Sequence, residues 1–182
     1  GTVRMLLTKP ITRTQLLMSK FLAGGIYTFL IVLWLGFMAV GIGRYLFGPG
    51  DLMVLNSDGL VILQEGDIMW RYICAFCVAF LALFTISSLS ICLSCFSDNS
   101  IGPIVATMAI ILFFTIINAL DVPIFDPIRP LLFTTHMASW RSFFEDPLPW
   151  QQIKQSSLVL IVHNILFIGI SIFTFNRKDM TV

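Results

Sequence analysis

A chain of 182 residues that is 57% hydrophobic and only 12% charged cannot hide its apolar side chains inside a soluble globule, where charged residues make up about 25%. With a mean hydropathy of +0.91, the excess has to face lipid. The formal net charge of +1 excludes a bulk attraction for nucleic acid, so any basic effect is local.

The first twenty residues, GTVRMLLTKPITRTQLLMSK, carry Arg4, Lys9, Arg13 and Lys20 and no acid. Val3, Leu6 and Leu7 fall on one face of a short helix, with Arg4 and Lys9 off it. Pro10 ends that helix. The Thr12-x-x-Gln15 spacing of a capping box then predicts a second helix that runs into the membrane. By itself such a segment is an interfacial anchor, with Lys20 reaching back to the polar side.

Four stretches have spanning length, given that a hydrocarbon core of about 30 Å needs roughly 20 helical residues. They are residues 21–43, 72–97, 101–120 and 157–175, and none contains Asp, Glu, Lys or Arg. Backbone polar groups in lipid must be satisfied within the segment, so these are helices. The fold class is all-α: a polytopic transmembrane helical bundle forming one domain over residues 1–182. Pro103 fits the first turn of the third span, where a missing N–H costs nothing.

The tails and long loops differ in charge. Lys and Arg number six in the 27 residues of 1–20 and 176–182, against five in the 63 residues of 44–71 and 121–155. An even number of spans puts both ends on one side, and the positive-inside bias places that side in the cytoplasm. Localisation follows as the plasma membrane, multi-pass, with 97–100 as a cytoplasmic turn and 121–155 outside.

The four cysteines, Cys74-x-x-Cys77 and Cys92-x-x-Cys95, imitate a zinc ribbon's paired spacing. All lie on one span, however, and 18 residues of helix separate the pairs by about 27 Å. Four ligands do not close on one metal over that distance; packing is the expected role, and no metal site is predicted. His163 and Asn164 lie within the last span, where polar groups are costly. They either hydrogen-bond across packed helices or line a translocation path together with Thr85 and Ser88. The hydroxyls of Thr85, Ser87, Ser88, Ser90 and Ser94 fit a polar path and bonding to their own backbone equally well.

In 121–155, Pro123, Pro127, Pro130, Pro147 and Pro149 bracket Phe133, Met137, Trp140 and Phe144, which recur at helical spacing. The pattern predicts an amphipathic helix at the interface, and Trp70, Trp140 and Trp150 suit an aromatic belt.

The opening residues Gly1, Thr2, Arg4, Leu6, Leu7, Lys9, Pro10, Ile11, Thr12 and Arg13, with Phe175, Arg177, Lys178 and Asp179 at the other end, resemble the type-2 ABC transporter permeases. The resemblance implies a coupling helix joining the second and third of six spans, so the spans here are the last four and Gly1 follows missing sequence. Val3, Leu6 and Leu7 would pack into a groove of an ATPase subunit, near Lys9 and Pro10, with Arg4 and Arg13 pairing with its acids. Two ATPase subunits and a second permease copy or paralogue are the implied partners, besides the lipid bilayer. ATP and Mg belong to the ATPase; this chain has no Gly-x4-Gly-Lys-Ser/Thr loop and no cofactor of its own. Phe133, Met137, Trp140 and Phe144 become external gate candidates. The function implied is that of a non-enzymatic exporter subunit. A non-catalytic anchor or assembly subunit fits the composition equally, whereas an intramembrane enzyme lacks paired carboxylates or clustered histidines within the spans.

Overall fold

The computed structural model describes residues 12–56, 59–97, 99, 101–120 and 122–177. Its first helix, α1 (Arg13–Gly36), opens on the predicted capping box. The Gln15 amide donates to Thr12 Oγ1 at 3.3 Å, and the Thr12 amide donates to Gln15 Oε1 at 3.0 Å. The helix continues through a π-helical stretch (Phe37–Ile42) into α2 (Gly43–Phe47). Glycines at 36, 41 and 43 weaken the preference for α geometry there. Gly48, at φ 79° and ψ 178°, takes a positive-φ conformation that glycine alone adopts readily, and the helix ends there.

An antiparallel hairpin follows, β1 (Leu52–Asn56) with β2 (Gly59–Leu63), in register Leu52 to Leu63. It is an addition to the all-helical expectation, which read 44–71 as a plain loop. Leu52 and Val54 are half-buried while Met53 and Leu55 are exposed, the two-residue alternation of a strand with one covered face. Arg44 pairs with Glu65, and the Glu65 amide donates to Asp51 Oδ1 at 3.1 Å. These contacts tie the hairpin to the start of α3 (Glu65–Phe96), whose first turn carries Glu65 and Asp67, matching the helix dipole.

α4 (Ile101–Ala119) and α6 (Trp150–Arg177) complete four helices long and apolar enough to cross a membrane. This is a membrane protein with a helical-bundle fold. Each helix bearing a predicted span except α4 extends past its apolar core: hydropathy marks what lipid covers, whereas caps and packing set the ends. Leu17 and Phe21 of α1 pack with Cys95 of α3, and Phe175 of α6 closes over them. Both described ends of the chain therefore lie at one end of the bundle.

The helices differ in length. At 1.5 Å per residue, the 32 residues of α3 and the 28 of α6 run about 48 and 42 Å, while the 19 of α4 run about 28 Å. A step is left beyond the end of α4, and residues 122–149 fill it as a roof. The roof comprises 3₁₀ turns at Pro123–Phe125 and Arg129–Leu131, α5 (Phe133–His136) and a 3₁₀ stretch at Ser139–Phe144. The single amphipathic helix expected here is not formed. Among its buried residues, Phe133, His136, Ser139 and Ser142 recur every third position, the 3₁₀ period, with Leu132 and Phe143 buried beside the ends of that row. The Ser139 hydroxyl also takes the His136 carbonyl at 2.7 Å, an acceptor a continuing α-helix would use.

α1 approaches α3 through glycine. A Cβ on Gly24 would stand 2.8 Å from Ser87 Oγ and 3.3 Å from Ile91 Cδ1, and one on Gly25 would meet Phe84 at 3.1 Å. Gly24→Val is expected to destabilise the bundle by about 1–3 kcal/mol through overpacking. Gly169→Val, where the added carbon meets nothing within 4 Å, is expected to change stability by no more than about 0.5 kcal/mol. Denaturant unfolding of the two variants in detergent micelles checks the contrast.

Candidate functional site

Two polar constellations stand out among the described residues. The first lies between α3 and α6. Asn164 is buried and Thr85 and Ser88 are wholly so. Ser88 Oγ donates to Asn164 Oδ1 at 2.8 Å, and Asn164 Nδ2 donates to Thr85 Oγ1 at 2.8 Å and to the Leu160 carbonyl at 2.9 Å. Thr85 in turn donates to the Leu81 carbonyl at 2.8 Å. Three of the four path candidates thus form one saturated interhelical clasp. Each such bond contributes about 0.6 kcal/mol in a membrane bundle.

His163, the fourth, sits apart from the clasp. Its Nδ1 is 2.9 Å from the Val159 carbonyl, and its ring lies 5.8 Å from Phe133 and 5.9 Å from Phe167. Of the other candidate hydroxyls, Ser94 bonds to the Ile91 carbonyl of its own helix at 2.7 Å. The cysteines all lie on α3, with Cys92 and Cys95 buried and Cys77 exposed.

The second constellation is the roof. The gate candidates do not share a face. Phe133 is a wedge, 1% exposed, packed against Ala82 and Leu89 of α3 and Leu160 of α6, and edge-on to Phe114 of α4 at 5.7 Å. Met137 joins the same cluster. Phe144 turns the other way, edge-on to Tyr72 at 5.0 Å, and with Trp140 and Leu52 borders a cavity beneath the hairpin. Trp70 stacks on Trp150 at 6.2 Å, a pair suited to the aromatic belt at a membrane interface.

The roof's irregular backbone is held by side chains. Buried Arg71 donates to the Phe143 carbonyl at 3.1 Å and the Glu145 carbonyl at 2.9 Å, with its guanidinium 5.5 Å from the Trp70 ring. Arg129 donates to the Leu120 carbonyl and pairs with Asp126. Thr135 donates to the Arg129 carbonyl at 2.8 Å, and its Oγ1 lies 3.2 Å from Asn118 Oδ1. His136 is buried with Nδ1 2.9 Å from Ser156 Oγ and Nε2 2.9 Å from the Pro130 carbonyl. Beside it is a cavity of about 230 Å³ lined mainly by hydroxyls and amides. Sequence reading gave Arg71 only to the charge count and passed over His136. The three-residue spacing His136-x-x-Ser139-x-x-Ser142 was the available signal.

The ATPase-contact candidates Val3, Arg4, Leu6, Leu7, Lys9 and Pro10 lie outside the described residues. Arg13 is the first residue of α1.

The chain belongs to the DUF2705 family. The family's model, described as a protein of unknown function, matches residues 1–181, so both constellations fall within the family's extent. Comparison with curated proteins and with solved structures finds no match.

Arg71→Met is expected to leave two roof carbonyls without their charged donor and to destabilise the folded chain by about 2–3 kcal/mol. Limited proteolysis in micelles should then cut first within 122–149. Wild-type resistance in the variant would show that the guanidinium does not hold the roof.

Proposed function

We propose that this chain is the membrane-spanning permease subunit of an ATP-driven exporter, coupling hydrolysis on a separate ATPase subunit to movement of its own spans. The reading is carried by the opening sequence, Gly1 to Arg13, and its likeness to the coupling segment of type-2 ABC permeases. The capped start of α1 supports it, because a force applied to residues 1–11 would pass directly into the first span. The shared end of Leu17, Cys95 and Phe175 supports it too: helices gathered there can be tilted together.

In this reading that end faces the cytoplasm of a plasma membrane, as its Lys and Arg favour. Val3, Leu6 and Leu7 enter a groove on one of two ATPase subunits, with Arg4 and Arg13 meeting acids there. ATP and Mg are held by that partner. A second permease copy or paralogue completes the pathway, and the roof closes it from outside, with the Phe133 wedge withdrawn when α4 and α6 separate. Transport then requires exchange of the Asn164 clasp between packed states.

The deciding experiment replaces Leu6 and Leu7 by Asp. The expected result is loss of the ATPase subunit from co-purification, by at least tenfold, with the four-span chain still inserted. Undiminished co-purification of an ATPase with the double variant would refute the assignment of this segment.

A further inference from the structure

Several hydroxyls of the spanning helices bond back along their own helix. Thr28, Thr85, Thr107, Thr115 and Ser171 each donate to the carbonyl four residues earlier. Ser156 instead lies against His136 of the roof, at 2.9 Å. The tautomer of that imidazole follows from its other partner. A carbonyl oxygen only accepts, so Nε2, 2.9 Å from the Pro130 carbonyl, carries the proton in the neutral ring. Nδ1 is then the bare acceptor, and the Ser156 O–H points into its lone pair.

We propose that Ser156 and His136 form a nucleophile–base pair for acyl transfer from a neutral carboxylic ester. Three requirements of such a pair are met: the nucleophile bonds to the base, the base is oriented by a third group, and both border a half-open pocket. The space is the cavity of about 230 Å³, and among the described residues its lining includes Ser139, Ser142, Gln152 and Gln155 but no charged side chain. An anionic or cationic substrate would find no counter-charge there, which selects an uncharged ester. Gln152 and Gln155, one turn before Ser156 and next to it in sequence, bring side-chain amides to the same pocket lining.

The reaction balances without a further reagent. Ser156 Oγ attacks the ester carbonyl as its proton passes to His136 Nδ1, and the Pro130 carbonyl stays bonded to Nε2–H. The tetrahedral carbon expels the alkoxide, which takes the proton from Nδ1 and leaves as an alcohol, with the acyl group esterified to Ser156. Water, deprotonated by the same Nδ1, then releases the carboxylic acid and restores the hydroxyl. The proposal does not rest on the transport reading and stands or falls separately from it.

The test treats the purified full chain in micelles with a fluorophosphonate and locates the adduct by peptide mass spectrometry, alongside hydrolysis of p-nitrophenyl acetate. Wild type should carry the adduct on Ser156. Ser156→Ala should lose both adduct and hydrolysis. His136→Gln should slow adduct formation at least tenfold, and Ser171→Ala should match wild type. Wild type with no adduct on Ser156, or a His136→Gln variant labelled at the wild-type rate, overturns the proposal. Because the adduct position in wild type is decisive alone, a variant that fails to fold does not blunt the test.

Discussion

One constraint organises this molecule: a stretch of irregular backbone is packed against a helical bundle, so the carbonyls it turns inward need donors that water does not supply. The stretch exists because α4 is about a dozen residues shorter than α3, leaving a step to be filled. Helices on either side satisfy themselves. The roof does so only in part, through the amides of its own turns, and side chains supply further donors. Arg71 reaches across from α3, Arg129 turns back onto the end of α4, and His136 bridges the roof to Ser156 of α6. Arg71, Arg129 and His136 are thereby drawn to one place.

The rest of the bundle divides into tight and loose seams. Between α1 and α3 the glycines at 24 and 25 bring backbone and side chain to contact distance, where dispersion is strongest. Between α3 and α6 the Asn164 clasp fixes rotation about the helix axes, since a turn of either helix would separate Asn164 from both hydroxyls. α4 is held differently. Only Pro103 and Thr107 along it are buried, and Ile104, Val105, Met108, Leu112, Phe113 and Ile116 remain exposed. In a bilayer that surface belongs to lipid or to neighbouring helices, and α4 is the span with least to lose on moving. Phe133 is the side chain that such a movement would uncover.

The four spans, the Thr12–Gln15 cap, the place of Pro103 and the gathering of the cysteines on one helix were legible in the sequence, because each depends on local composition or on spacing along a helix. The roof was not. The row Phe133, Met137, Trp140 and Phe144 matches a helical period, yet the buried run Phe133, His136, Ser139 and Ser142 follows a period of three, and tertiary contacts with α3 and α6 decide between them. The hairpin was missed because exposed Met53, Leu55, Leu60 and Ile62 blur the alternation that marks a half-buried strand. Arg71 looked like one more loop cation; its role depends on carbonyls more than seventy residues away.

Sided thiol labelling measures directly which side of the membrane each end of the bundle faces. With the native cysteines replaced, exposed positions 151 and 176 each receive a single cysteine, Gln151→Cys beside the roof and Asn176→Cys near the end of α6. In intact cells a membrane-impermeant maleimide should label Gln151→Cys and leave Asn176→Cys unmodified until the membrane is opened. Labelling of Asn176→Cys in intact cells would contradict the account, because the basic end of the bundle would then be unable to meet a cytoplasmic ATPase.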